Sequence, residues 1–200
     1  SDRNQRARDR APRGIWTGRR AAYGYLEKNN EKKLRPFTTG LTESIPYQGI
    51  NQEDTMILKE AKLVTGHKSG LGKPSKMPGY STSLPAQACI LGAKLAKVAG
   101  SVCASCYALK GHYLYPDVKA GLQRRLEALH NPQWVEGMTK LVGHYTDPKD
   151  PYFRIHDSGD FQSVEHVLQW VAVARALPWV NFWAPSREVA MVKMARAMAG

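Results

Sequence analysis

Hydrophobic positions recur at helical spacing most clearly in the C-terminal half of the chain. Val118, Leu122, Leu126 and Leu129 mark an amphipathic helix that Asp117 can cap. Trp134, Val135, Met138, Leu141 and Val142 mark a second helix over 132–145, and residues 146–151 form a turn-rich break. Residues 152–156 read as a short buried strand, followed by the loop Asp157-Ser158-Gly159-Asp160. Ser163 can cap the next helix, which carries Val164, Val167, Leu168 and Val171 inward and stops at Pro178. Residues 180–184 read as another strand, and Ser186 caps a third helix with Val189, Met191 and Val192 facing inward. Trp170, Trp179 and Trp183 read as core rather than as a stacking platform.

Strand, helix, strand, helix at this spacing is a βαβ unit with parallel strands. The expected fold class is α/β: a parallel sheet of βα units, forming a partial or truncated β/α barrel. Ligands in such sheets gather beyond the C-terminal strand ends. Asp157, Asp160, Arg187 and Glu188 fall there, and position is the main reason to treat them as site residues. Gly159 permits a tight turn and close approach of a ligand between two carboxylates that can divide acid and base roles. Arg187 and Glu188 position substrate or, equally, form a surface ion pair.

Upstream, the pattern is weaker. A helix is expected near 53–63. Residues 65–80 concentrate glycine and proline among His67, Lys68, Lys73 and Lys76, which reads as a flexible basic loop. The loop fails as a phosphate-binding Walker segment: His67 stands where the first glycine belongs, and Pro74 follows Lys73.

Composition sharpens the picture. The 200 residues hold 29 Lys and Arg against 17 Asp and Glu, a net charge of +12 that points to a polyanionic partner, most simply nucleic acid. Seven arginines lie within residues 1–20, with too few apolar residues to offset chain entropy. Residues 1–40 are thus expected to be a basic, largely flexible N-terminal extension, and 41–200 an α/β metal- or cluster-binding domain. The start at Ser1 and the stop inside a helical pattern suggest a processed or truncated product. The most apolar stretch, 164–184, is broken by Glu165, Gln169, Arg175 and Pro178, so no membrane span is expected, and no secretory leader is visible.

All three cysteines fall between positions 89 and 106. A secreted disulfide scaffold would spread an even number along the chain, so a reducing compartment and a shared task are the better reading. Cys103-Ala-Ser-Cys106 is a Cys-x-x-Cys turn, and Cys89 can bring a third thiolate. Three thiolates suit an iron–sulfur cluster with one iron left open, or zinc completed by water or a histidine, for which His112 and His156 are candidates. A redox pair, or packed thiols, are the alternatives. Tyr107, Tyr113 and Tyr115, near Lys110 and His112, could stack bases or pack the cysteine loop.

The strings Leu84-Pro85-Ala86, Cys89, Cys103–Gly111, Phe153–Phe161 and Phe182–Glu188 resemble the phage-associated gene product 88 family over about residues 80–190. The layout also resembles the first half of a radical S-adenosylmethionine barrel. That resemblance implies a [4Fe-4S] cluster on Cys89, Cys103 and Cys106, with Gly159-Asp160 at the methionine end of the cofactor. It departs in the spacing of 13 residues between Cys89 and Cys103, and in Asp160 where a glutamate is usual. Asp157-Ser158-Gly159-Asp160-Phe161-Gln162 is also similar to a segment of the tRNA-guanine transglycosylases, zinc proteins in which the matching aspartate meets the base; there the zinc site follows the motif, whereas these cysteines precede it.

The sequence therefore supports a cluster- or metal-dependent enzyme acting on nucleic acid or a nucleotide precursor. Cys89, Cys103 and Cys106 are its metal residues; His156, Gly159 and Asp160 hold the cofactor; Asp157, Asp160 and Arg187 are catalytic. The cofactors are a [4Fe-4S] cluster with S-adenosylmethionine, or zinc on the transglycosylase-like reading. The location is the cytoplasm, that of the host if the chain is phage-encoded. A non-catalytic nucleic-acid-binding module whose arginine arm grips phosphates, or a phage structural protein, are readings of another class.

Overall fold

The computed structural model describes residues 56–200. The N-terminal extension, and the first residues of the helix expected near 53–63, lie outside the described residues. Six helices and three short strands follow in order: α1 Leu58–Val64, β1 Tyr80–Ser81, α2 Ile90–Leu95, α3 Pro116–Ala128, α4 Trp134–Tyr145, β2 Tyr152–Arg154, α5 Val164–Ala176, β3 Asn181–Trp183 and α6 Val189–Ala199. Four 3₁₀ turns bridge α2 and its flanks: Ala86–Ala88, Val102–Ser105, Tyr107–Leu109 and Gly111–Leu114.

The strands form one parallel sheet in the order β1-β2-β3, with Phe153 paired to both Tyr80 and Phe182, and Arg154 to both Ser81 and Trp183. The α/β reading stands at this level: an open, three-stranded parallel sheet with helices. Because side chains alternate across a strand, Tyr80, Phe153 and Phe182 share one face, and all three join the main core. Phe153 is fully buried. Helices α4 and α5 supply much of that core through Trp134, Met138, Leu141, Val142, Val167, Trp170 and Val173. The Trp134 and Trp170 rings meet edge to face at 5.2 Å, and Phe153 lies 5.7 Å from Trp170. Helix α1 packs on α4, α4 on α5 and α5 on α6. Gly137 allows the first of these contacts, since a Cβ there would stand 2.5 Å from Val64 Cγ2.

Local chemistry explains most helix boundaries. Ser163 Oγ accepts from His166 N at 3.1 Å and caps α5, as its position implies. Asp117 does not cap α3: Tyr115 is the N-cap, Pro116 is the first helical residue, and Asp117 lends its charge to the first turn. Ser186 lies two residues ahead of the α6 N-cap, Glu188, and its Oγ accepts from Glu188 N at 2.9 Å.

Four expectations need correction. Val189 and Val192 of α6 are exposed, and the helix buries Ala195 and half-buries Met191 instead. Trp179 and Trp183 are exposed, because they lie outside the face that the helices cover. Arg154 covers Trp183, its guanidinium 4.9 Å from the ring centroid. Strand β1 was hidden within a segment that read as loop. That loop is also built rather than loose: Thr65, His67, Gly70 and Leu71 are buried, and Gly72 bridges Ser81. His67 donates from Nδ1 to the Thr65 carbonyl at 2.9 Å and accepts at Nε2 from Thr82 Oγ1 at 2.8 Å. Burial, with the Arg125 charge second, depresses its pKa to about 3, so the ring stays neutral.

Candidate functional site

A cleft of about 370 Å³ opens where the C-terminal ends of the strands lead into loops. The loop after β1 leads to Cys89 and α2; the loop after β2 runs through residues 155–162; the loop after β3 runs through residues 184–188. Cys89, Cys103, Cys106, His156, Asp157, Gly159, Asp160 and Arg187 all line this one cleft. These eight of the residues assigned a site role from the sequence are thus brought together; Glu188 and His112 are not among the lining residues.

The three cysteines are free and half-buried. The sulfurs of Cys89 and Cys103 lie 3.5 and 3.8 Å from the point where a Cβ on Gly92 would sit, and the Cβ of Cys89 only 2.9 Å from it. Only glycine at position 92 leaves room for this approach. Burial pushes the Cys89 thiol up to about 12, with the charges of Asp160, Cys106, Cys103 and Glu188 adding to the effect. The Cys-x-x-Cys turn is itself capped, since Ser101 Oγ accepts from Ala104 N at 3.1 Å and donates to Leu95 O at 2.5 Å.

The carboxylates divide the work of holding the site. Asp160 is buried and accepts three hydrogen bonds: from Ser186 Oγ at 2.6 Å, Arg187 N at 2.7 Å and Phe161 N at 2.8 Å. It clamps the loop after β2 to the loop after β3. Glu188 is buried too, and its Oε1 accepts from Leu91 N at 2.6 Å, tying the loop after β3 to the first turn of α2 beside Cys89. It forms no surface ion pair, which the sequence left as an alternative. Asp157 is more open. Its Oδ2 accepts from Tyr113 Oη at 2.8 Å, and Arg154 Nη1 stands 3.5 Å from Oδ1. Its backbone carbonyl accepts from Tyr107 Oη. The tyrosines therefore pin the cysteine segment to the end of β2. Burial and the Asp157 hydrogen bond raise the Tyr113 pKa.

Gly159 has a positive φ of 80°, and a Cβ there would stand 2.6 Å from Leu84 Cβ and 2.9 Å from the Leu84 backbone. The close approach it permits is to the loop after β1, where Leu84 N donates to Ser158 O at 2.8 Å. His156 adopts a left-handed φ of 66°, costly for a residue with a Cβ. Its ring is fully buried among Phe161, His166 and Trp170, and Nδ1 has no hydrogen-bond partner. Desolvation, then the His166 charge, drives its pKa well below the ordinary value. His112 is exposed, stacks on Tyr113 at 4.6 Å and does not line the cleft.

The cleft carries three free thiols and a buried imidazole with an unpaired nitrogen. Among the described residues, no group of three or more His, Cys, Asp or Glu stands in the arrangement that holds a metal ion. Sequence reasoning missed Gly92, Glu188 as a tie to α2, the bond from Tyr113 to Asp157, and Arg154. The first was signalled by a glycine three residues after a cysteine, which brings its Cα over the thiol at the start of a helix.

A family model for gene product 88 matches residues 51–199, which include every residue of the cleft. The chain belongs to the gene product 88 family. No curated protein matches the chain, and no solved structure does. The family description carries no chemistry, so the resemblances to radical S-adenosylmethionine proteins and to transglycosylases find no support in these matches. Among the described residues, no helix is long and apolar enough to cross a membrane.

Proposed function

We propose that this gene product 88 protein is an iron–sulfur enzyme of radical S-adenosylmethionine type that acts on nucleic acid or a nucleotide precursor. One observation carries the reading: three free cysteines and the loops after β2 and β3 line a single cleft at the C-terminal strand ends. Cys89, Cys103 and Cys106 would hold the cluster, which supplies one-electron chemistry when bound. A cleft of this size has room for a cluster and an organic ligand beside it, whereas a single ion would leave most of it open.

The chain's own residues then have distinct tasks. Gly159 and Asp160 fix the wall against which the organic cofactor lies, with Asp160 acting through Ser186 and Arg187. His156 backs that wall from the core. Asp157, poised between Tyr113 and Arg154, is the group placed to hold or take up a proton. The side chain of Arg187 is exposed at the cleft and can meet an anionic group of substrate. On this reading the open sheet is a partial barrel.

Equilibrium dialysis of the anaerobically reconstituted protein against S-adenosylmethionine tests the proposal. Saturable binding that disappears in Cys89→Ser, Cys103→Ser and Cys106→Ser supports it. Absence of binding, with one zinc per chain, overturns it in favour of transglycosylase-like chemistry, in which Asp157 would meet the base.

A further inference from the structure

Charge is distributed unevenly over the fold. Residues 56–200 hold 18 Lys and Arg against 10 Asp and Glu, an excess of eight. Residues 61–116 contain seven lysines and no Asp or Glu, whereas residues 117–200 hold ten cations against nine acids. Nearly all of the excess therefore sits on the stretch that runs from the end of α1 through β1 and the cysteine wall. Of the seven, Lys62 is half-buried against Tyr145, and the other six are exposed.

The second half of that stretch is the cysteine-bearing side of the cleft. Lys94 lies in α2, Lys97 follows just after it, and Lys110 comes three residues after Tyr107. Tyr107 lines the cleft and is 55% exposed; Tyr115 is 63% exposed. Exposed tyrosines interleaved with lysines, without a carboxylate on the same segment, match the needs of a single strand of nucleic acid: cations for its phosphates and flat rings for its bases. A duplex would hide its bases from those rings.

We infer that single-stranded nucleic acid runs along the cysteine wall, its phosphates on Lys94, Lys97 and Lys110 and a base stacked on Tyr107 at the mouth of the cleft. This rests on the reading above that the substrate is a nucleic acid, and it names the face that receives it.

Fluorescence anisotropy with labelled oligothymidylate and oligouridylate of 20 nucleotides, measured on the full chain over a salt series, tests the inference. The triple variant Lys94→Gln/Lys97→Gln/Lys110→Gln is expected to bind at least tenfold more weakly. Its slope of log affinity against log salt should fall by about two, at about 0.7 for each phosphate contact on a single strand. Lys140→Gln/Lys149→Gln/Lys193→Gln removes the same charge from other exposed positions and should keep the wild-type slope. Tyr107→Ala should bind about fivefold or more weakly than Tyr107→Phe, as the loss of one stacked base requires; both variants give up the hydroxyl's bond to the Asp157 carbonyl, so the difference between them reads the ring alone. The two oligonucleotides separate DNA from RNA as the source of the strand. If both triple variants weaken binding equally, or neither does, the inference fails while nucleic-acid binding stands. If the wild type binds neither oligonucleotide at low salt, the nucleic-acid reading fails with it.

Discussion

Asp160→Asn is the substitution that separates a clamp from a reactive carboxylate. The amide keeps the shape of the side chain but replaces one oxygen with a donor. If nitrogen takes the Oδ2 place it faces Arg187 N–H, 2.7 Å from the carboxylate in the native protein. If it takes the Oδ1 place it faces Phe161 N–H at 2.8 Å, although the Ser186 hydroxyl can turn to accept. One buried N–H is therefore orphaned in either orientation, at about 1–3 kcal/mol. The remaining bonds lose their charge assistance, roughly 1 kcal/mol more in total. The expected loss is about 3 kcal/mol, which in urea denaturation moves the midpoint down by roughly 1.5 M for a slope of about 2 kcal/mol/M. Asp157→Asn is the control: its carboxylate is more exposed, and the Tyr113 hydroxyl can donate to an amide oxygen, so a shift under about 0.5 M is expected. Equal midpoints for Asp160→Asn and wild type would refute the clamp and return Asp160 to the list of groups free to take a proton.

Gly159→Ala should destabilise by at least about 2 kcal/mol, because the positive φ and the Leu84 backbone oppose a Cβ together; a thermal melt unchanged from wild type would contradict this. Gly92→Ala should leave the melt nearly intact but reduce iron loading of the reconstituted protein, since the new methyl group presses on Cys89. In the reduced, metal-free protein, Cys89 should be alkylated more slowly at pH 8 than a free thiol, as its pKa of about 12 requires, and peptide mapping after a timed iodoacetamide pulse reads this. Stability should also fall with acid. His67 and His166 have native pKa values lowered by burial to about 3 and about 4, and His156 is lowered as well. The unfolded chain therefore binds more protons from about pH 6.5 downward, so stabilisation present above the ordinary histidine pKa is lost as pH falls toward the native values, by roughly 1 kcal/mol per pH unit for each ring. Urea midpoints that stay flat between pH 7 and 5 would contradict this assignment.

Much of the C-terminal half was legible in the sequence because burial there follows simple periods. Val167 and Trp170 on α5, or Trp134, Met138, Leu141 and Val142 on α4, repeat at helical spacing, and Phe153 marks β2. Strand β1 left no such trace: Tyr80–Ser81 is two residues long, and its identity as a strand depends on Phe153 and Arg154 alongside it. The site was legible as a set of positions, since cysteine spacing and loops after parallel strands locate it. The individual tasks were not, because they depend on distant partners. Nothing local to Asp160 announces Ser186, nothing beside Glu188 announces Leu91 N, and the neighbour that makes Gly159 necessary is Leu84. His67 was misread for the same reason: a histidine among lysines looks cationic until Thr82 closes over it.

The central claim is that Cys89, Cys103 and Cys106 act as one thiolate-held centre. Iron and acid-labile sulfide, measured with the visible spectrum on protein purified and reconstituted without oxygen, test it most directly. A brown protein with about four irons per chain, lost on changing any one of the three cysteines to serine, is the predicted result. A colourless protein, or an iron content indifferent to those substitutions, would contradict it.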